Sequence, residues 1–146
     1  MTQLNVGDQA PDFKLQDQDG KPRTPADHEK LVFYFYPKDF TPGCTVQIGD
    51  FSKEYAAFKA KGYEIYGVSP DSVESHKKFC DAFKAPYPIL SDPDALVAKA
   101  YGAWGNKGAF GVGLLRSTFV IENGVIRQAH YRVNPVSHAH DLLRSL

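Results

Sequence analysis

Apolar residues fill every position of Leu31–Tyr36 (LVFYFY), a run that Pro37 ends. Continuous rather than alternating apolar character marks a strand covered on both faces. Glu64–Ser69 (EIYGVS) and Tyr87–Leu90 read as further strands. Between these runs the period changes. Val46, Phe51, Tyr55 and Phe58 recur at spacings of three to five, which predicts a helix over Thr45–Lys61 stopped by Gly62. Ser72 or Asp71 can cap a second helix that runs to about Lys84. Pro93 precedes a short helix over Asp94–Tyr101, and Ser137–Leu146 reads as a final one.

Turn residues complete the pattern. Asp17-Gln18-Asp19-Gly20 follows Phe13–Leu15 and predicts a hairpin near the N-terminus. Asn123-Gly124 separates Ser117–Ile121 from Val125–Tyr131, a strong short-range hairpin signal. The order is a β-hairpin, then β, α, β, α, β, α, β, β, α. Alternating strands and helices predict a parallel βαβ unit, and the second hairpin adds antiparallel strands. The expected class is α/β, a mixed central sheet flanked by helices. A thioredoxin-like architecture satisfies it, and 146 residues suit one domain over 1–146.

Composition narrows the partners. The formal net charge is zero, which supplies no basic surface for nucleic acid or an anionic membrane. No run approaches the roughly 18 apolar residues that span a bilayer. Met1–Ala10 has no charged segment ahead of an apolar stretch, so the expected compartment is the cytoplasm. Zero charge and no obvious exposed apolar strip point to a monomer. His28, His76, His130, His138 and His140 show neither triad nor metal spacing and are expected on the surface or in loops. The two cysteines are too few for a disulfide scaffold, and neither has a second Cys or a His at zinc-finger spacing.

Cys44 is the candidate for chemistry. It follows Pro42-Gly43 and lies in, or just before, the first turn of the long helix. Unpaired amides and the helix dipole favour an anion there, and the thiolate is the nucleophilic form of cysteine. Ionisation alone gains little. A free thiol is already ionised to a few per cent near neutral pH, and nucleophilicity falls as acidity rises. A peroxidase must also stabilise charge on the oxygen that leaves. Thr41, the amides of Gly43 and Cys44, and Arg116 at the start of a core strand are candidates, and Pro37 can shield the pocket.

The run Pro37-Lys38-Asp39-Phe40-Thr41-Pro42-Gly43-Cys44 matches P-x-x-x-T-x-x-C and resembles the peroxiredoxins, most closely the bacterioferritin-comigratory-protein (PrxQ) branch. Gly7–Phe13, Ser69–Ser72, Leu90–Asp94 and Arg116–Ile121 resemble the same branch in the same order. The resemblance implies a thioredoxin fold and reduction of hydrogen peroxide and organic hydroperoxides. It implies Cys44 as the peroxidatic residue, with Pro37, Thr41 and Arg116 around it. It implies no metal, haem or flavin, and a thioredoxin-like dithiol protein as reductant.

One position departs. Many members of the branch carry a resolving cysteine five residues after the peroxidatic one, and here that residue is Gly49. A second subset places it in the next helix, where Cys80 stands. Cys80 is therefore the expected resolving residue, reached through local unwinding. The competing expectation is that Cys80 packs inertly with Val73, Lys77 and Phe83 on one side of its helix, leaving an external thiol to resolve Cys44. Arg116 alone would read as a surface ion pair, Thr41 as a turn or cap, and Trp104 as a lining or cover of the site. Two other classes compete. A disulfide oxidoreductase would want C-x-x-C, which is absent. A non-catalytic interaction protein would not need Thr41, Cys44 and Arg116 together.

Overall fold

A computed structural model describes residues 3–146. The N-terminal hairpin is β1 (Leu15–Gln16) and β2 (Pro22–Arg23), followed by β3 (Lys30–Phe35), α1 (Pro42–Ala60), β4 (Glu64–Ser69) and α2 (Val73–Phe83). Then come β5 (Ile89–Ser91), α3 (Leu96–Ala100), β6 (Trp104–Asn106), β7 (Val112–Leu114), β8 (Ser117–Glu122), β9 (Val125–His130) and α4 (His138–Arg144). The main sheet has seven strands in the order β2-β1-β5-β4-β3-β8-β9. Its β3, β4 and β5 are parallel, while β1, β8 and β9 pair antiparallel with their neighbours. This is the mixed, thioredoxin-like sheet that the strand and helix alternation predicts.

The run over β3 explains the two cores. Val32, Tyr34 and Tyr36 face one side with Ile48, Phe51 and Phe58 of α1, Phe79 of α2 and Leu142 of α4. Leu31, Phe33 and Phe35 face the other, against Ala98 of α3, Phe13 and Tyr101. Alternate side chains of one strand thus feed both faces, so every position after Lys30 is buried. The Asn123-Gly124 hairpin forms as expected, with both residues at positive φ (52° and 77°).

Several boundaries differ from the sequence reading. The first long helix begins at Pro42, not Thr45, with Thr41 as its N-cap residue. Proline suits the first helical position because that N–H needs no intrahelical partner. The expected helix over Asp94–Tyr101 starts as a 3-10 turn, and Asp94 and Ala95 adopt left-handed φ before α3 begins. The Asp92 carboxylate accepts from the amides of Val97 and Ala98 at 3.0 Å and anchors that kink. A separate two-stranded sheet, β6 with β7, stands where the glycine-rich stretch gave no strand signal. The inward side of α2 carries His76, Phe79 and Cys80, while Lys77 is exposed. His76, expected on the surface or in a loop, is fully buried, because its nitrogens find partners inside. No helix among the described residues is long and apolar enough to cross a membrane.

Candidate active site

Strand β3 ends beneath a short loop, Pro37–Thr41, that turns into α1. Pairing of Phe35 with Ser117 brings the start of β8 to the same end of the sheet. Cys44 in the first turn of α1 and Arg116 just before β8 therefore meet, although 72 residues separate them. Arg116 Nη2 donates to Cys44 Sγ at 3.2 Å, and Nη1 donates to Gln47 Oε1 at 2.6 Å. The Arg116 backbone is fixed beside these contacts, since its carbonyl accepts from the amide of Val133 at 2.8 Å.

The Cys44 sulfur has a cation beside it and a helix start around it. Cys44 is only 1% exposed, so little solvent screens the guanidinium. The first turn of α1 contains no acidic residue to compete for its dipole. Gly43 eases the close approach: a Cβ there would lie 3.1 Å from Arg116 Nη2 and 3.4 Å from Pro135 Cγ, so the guanidinium would have to shift. Pro37 is partly buried between β3 and the loop. The Thr41 hydroxyl donates to the Lys38 carbonyl at 2.7 Å. Its proton is engaged there rather than on the sulfur, and its lone pairs stay available to an incoming O–H.

Sequence reasoning missed Gln47, which is 1% exposed. It sits one turn after Cys44, so i, i+3 spacing was the signal that could have found it. Its Nε2 meets no acceptor among the described residues, which leaves a spare donor beside the guanidinium. Asp39 was also missed. Its buried carboxylate accepts from Tyr36 Oη at 2.5 Å, Ser75 Oγ at 2.7 Å and His76 Nδ1 at 2.7 Å. Burial alone would raise its pKa, but these hydrogen bonds and the His76 charge hold it below the usual carboxylate range.

Cys80 belongs to the same apolar cluster as Cys44, and both thiols are free. Its surroundings differ in sign. Burial pushes the Cys80 thiol up to about 12, and the charges of Asp39, Asp81 and Asp19 push the same way. Gly49, on the exposed side of α1, has open space where a side chain would go. Trp104 lies on β6, with Lys99 Nζ 4.6 Å from its ring centroid, and is part of the second core's margin rather than of the Cys44 contacts.

The AhpC/TSA family model matches residues 6–129. A putative peroxiredoxin bcp of Helicobacter pylori strain J99 is 42% identical, with the whole of both chains covered. The solved Xylella fastidiosa PrxQ, a cysteine-to-serine mutant, superimposes with a TM-score of 0.93 at 32% identity, covering 99% of this chain and 96% of that one. Xanthomonas campestris Peroxiredoxin Q, solved in two cysteine-to-serine mutants, gives a TM-score of 0.87 at 35% identity, covering 91% and 88%.

Proposed function

The chain belongs to the AhpC/TSA family, in its peroxiredoxin Q (bacterioferritin-comigratory-protein) branch, and from that premise we propose that Cys44 and Cys80 reduce hydroperoxides together. Family membership carries peroxidase chemistry with a peroxide substrate and a thiol reductant. The residue assignments rest on the geometry, above all on the Arg116 guanidinium 3.2 Å from the Cys44 sulfur.

The first step is attack of the Cys44 thiolate on the terminal oxygen of ROOH. The O–O bond breaks, Cys44 becomes a sulfenic acid, and RO⁻ leaves to take a proton as ROH. Arg116 offsets charge that moves from sulfur to the leaving oxygen. Thr41 accepts a hydrogen bond from the peroxide O–H with its free lone pairs, and the amide of Gly43 and the spare Gln47 N–H flank the pocket. Pro37 limits water.

In the second step the Cys80 sulfur attacks the sulfenic sulfur, forms a disulfide and expels water. A thioredoxin-like dithiol then reduces that bond by exchange. The two cysteines replaced in the Xanthomonas campestris protein have the spacing of Cys44 and Cys80, which supports the pairing. The other reading, resolution by an external thiol, draws on the high pKa of the packed Cys80. Intact mass after one equivalent of peroxide decides between them. Loss of two hydrogens without a dimer on a non-reducing gel is expected. A persistent sulfenic acid on Cys44 with a free Cys80 would select the external-thiol reading. Absence of any peroxide consumption with a thioredoxin system would overturn the peroxidase assignment itself.

A further inference from the structure

The loop before Cys44 and the helix that carries Cys80 are joined by a buried polar cluster. Asp39 belongs to the loop, two residues before Thr41. Its carboxylate takes hydrogen bonds from Ser75 and His76 in α2 and from Tyr36 at the end of β3. Its amide donates to Asp71 Oδ2 at 2.6 Å, just ahead of the α2 N-cap residue Ser72. His76 Nε2 meets the Leu90 carbonyl at 2.9 Å, so each ring nitrogen faces an acceptor. The His76–Asp39 contact is almost wholly removed from water, with side-chain exposures of 0% and 2%.

Cys80 lies one helical turn after His76 and on the same inward side. Phe40 follows Asp39 with a left-handed φ of 64°, a conformation that a bulky residue holds only when its surroundings impose it. Its ring packs at 5.0 Å from Phe79 and 6.2 Å from Phe83, residues that flank Cys80 along α2. Backbone, charge and aromatic contacts thus all fasten the peroxidatic loop to the helix of the second cysteine. Withdrawing α2 would strip the buried Asp39 carboxylate of its Ser75 and His76 hydrogen bonds together, so this fastening opens as a unit.

We propose that the Asp39–Ser75–His76 cluster is the latch whose opening limits disulfide formation, and so sets the choice between the Cys44–Cys80 bond and further oxidation of Cys44. The latch rests on the two-cysteine reading above. While it is closed, the Cys44 pocket stays formed and Cys80 stays packed as a protonated thiol. After the first turnover two reactions compete for the sulfenic acid. Cys80 attacks it with loss of water, or a second ROOH oxidises it to the sulfinic acid with release of ROH. A slower latch favours the second route.

Quenched-flow mass spectrometry of the full chain tests this with Ser75→Ala and His76→Gln. Neither residue hydrogen-bonds with Cys44, Thr41 or Arg116. The first oxidation is expected to stay within about twofold of the parent, while the disulfide phase accelerates about fivefold in Ser75→Ala and more in His76→Gln. The sulfinic fraction in excess peroxide should fall in step. Ser75→Ala loses only a partly buried hydroxyl, so it carries the test if His76→Gln does not fold. A disulfide phase that is unchanged or slower, with the first oxidation intact, overturns the latch. Amide exchange along α2 in the reduced protein separates this from failure of the two-cysteine reading. Faster exchange in Ser75→Ala without any disulfide in the parent rejects Cys80 as partner and with it the gating role. Unchanged exchange rejects the latch whatever Cys80 does.

Discussion

Two thiols share one apolar cluster and nearly the same burial, yet the charges around them differ in sign. Cys44 has a guanidinium at 3.2 Å, the start of a long helix and no nearby acid in its first turn. Cys80 sits near the end of a helix, with the carboxylates of Asp39, Asp81 and Asp19 adding to its burial. Burial by itself does not set the chemistry of a cysteine. It lowers the local dielectric, and the sign of the charges that remain then decides which protonation state the site favours. One site sets a guanidinium against its sulfur. The other holds its thiol in the protonated form.

The contrast can be broken most forcefully at Arg116. Arg116→Leu is expected to slow the first oxidation about 10²- to 10³-fold in stopped-flow peroxide assays. A loss below about fivefold would mean that the helix terminus suffices and that the guanidinium is secondary. Gly43→Ala should slow the same step about tenfold, because the new methyl meets Arg116 Nη2 at 3.1 Å and must displace it. Cys80→Ser should leave the first oxidation within about twofold and abolish turnover with thioredoxin. Turnover that survives would make Cys80 a packing residue and dissolve the contrast.

The smallest effect is on stability, and it separates the two regions by pH. Burial, with the nearby His130, lowers the His138 pKa to about 4. His138 packs edge-on to Phe51 of α1, behind the helix of Cys44. Between its unfolded value near 6.5 and about 4 the unfolded chain binds the extra proton. The stability tied to neutral His138 is therefore complete above that window and lost as pH falls through it, by ~2 kcal/mol at most. Asp39, beside α2, has a lowered pKa, so its contribution is held above the carboxylate range and lost only at still lower pH. Urea titrations should show a decline between about pH 6.5 and 4 that His138→Gln flattens. No flattening would remove His138 as the cause.

The parts of the molecule governed by local rules were legible. The buried run of β3, the Asn123-Gly124 turn and the Ser72 cap follow from side-chain periodicity, positive φ and a hydroxyl acceptor. Cys44 was legible from its helix start and Arg116 as a candidate from its strand start, and the family resemblance paired them, because nothing between them in sequence announces a sulfur–guanidinium contact. Gln47 was accessible from helical spacing and was overlooked. The role of His76 could not be read, since it depends on a carboxylate from the loop before Cys44 and a carbonyl from β5. The β6–β7 pair hid behind glycines that carry no strand preference.

The distance along the chain between Cys44 and Arg116 has a consequence during synthesis. At about 5–20 residues per second, a ribosome adds the intervening 72 residues in roughly 4–14 seconds. Throughout that interval the nascent chain holds the cysteine and its helix sequence but not the cation, nor the strand that places it beside β3. On the reading proposed above, the newborn thiol lacks its guanidinium until the last strands are made. A chain halted before Arg116 would carry the P-x-x-x-T-x-x-C motif whole and react with peroxide at the pace of a free thiol.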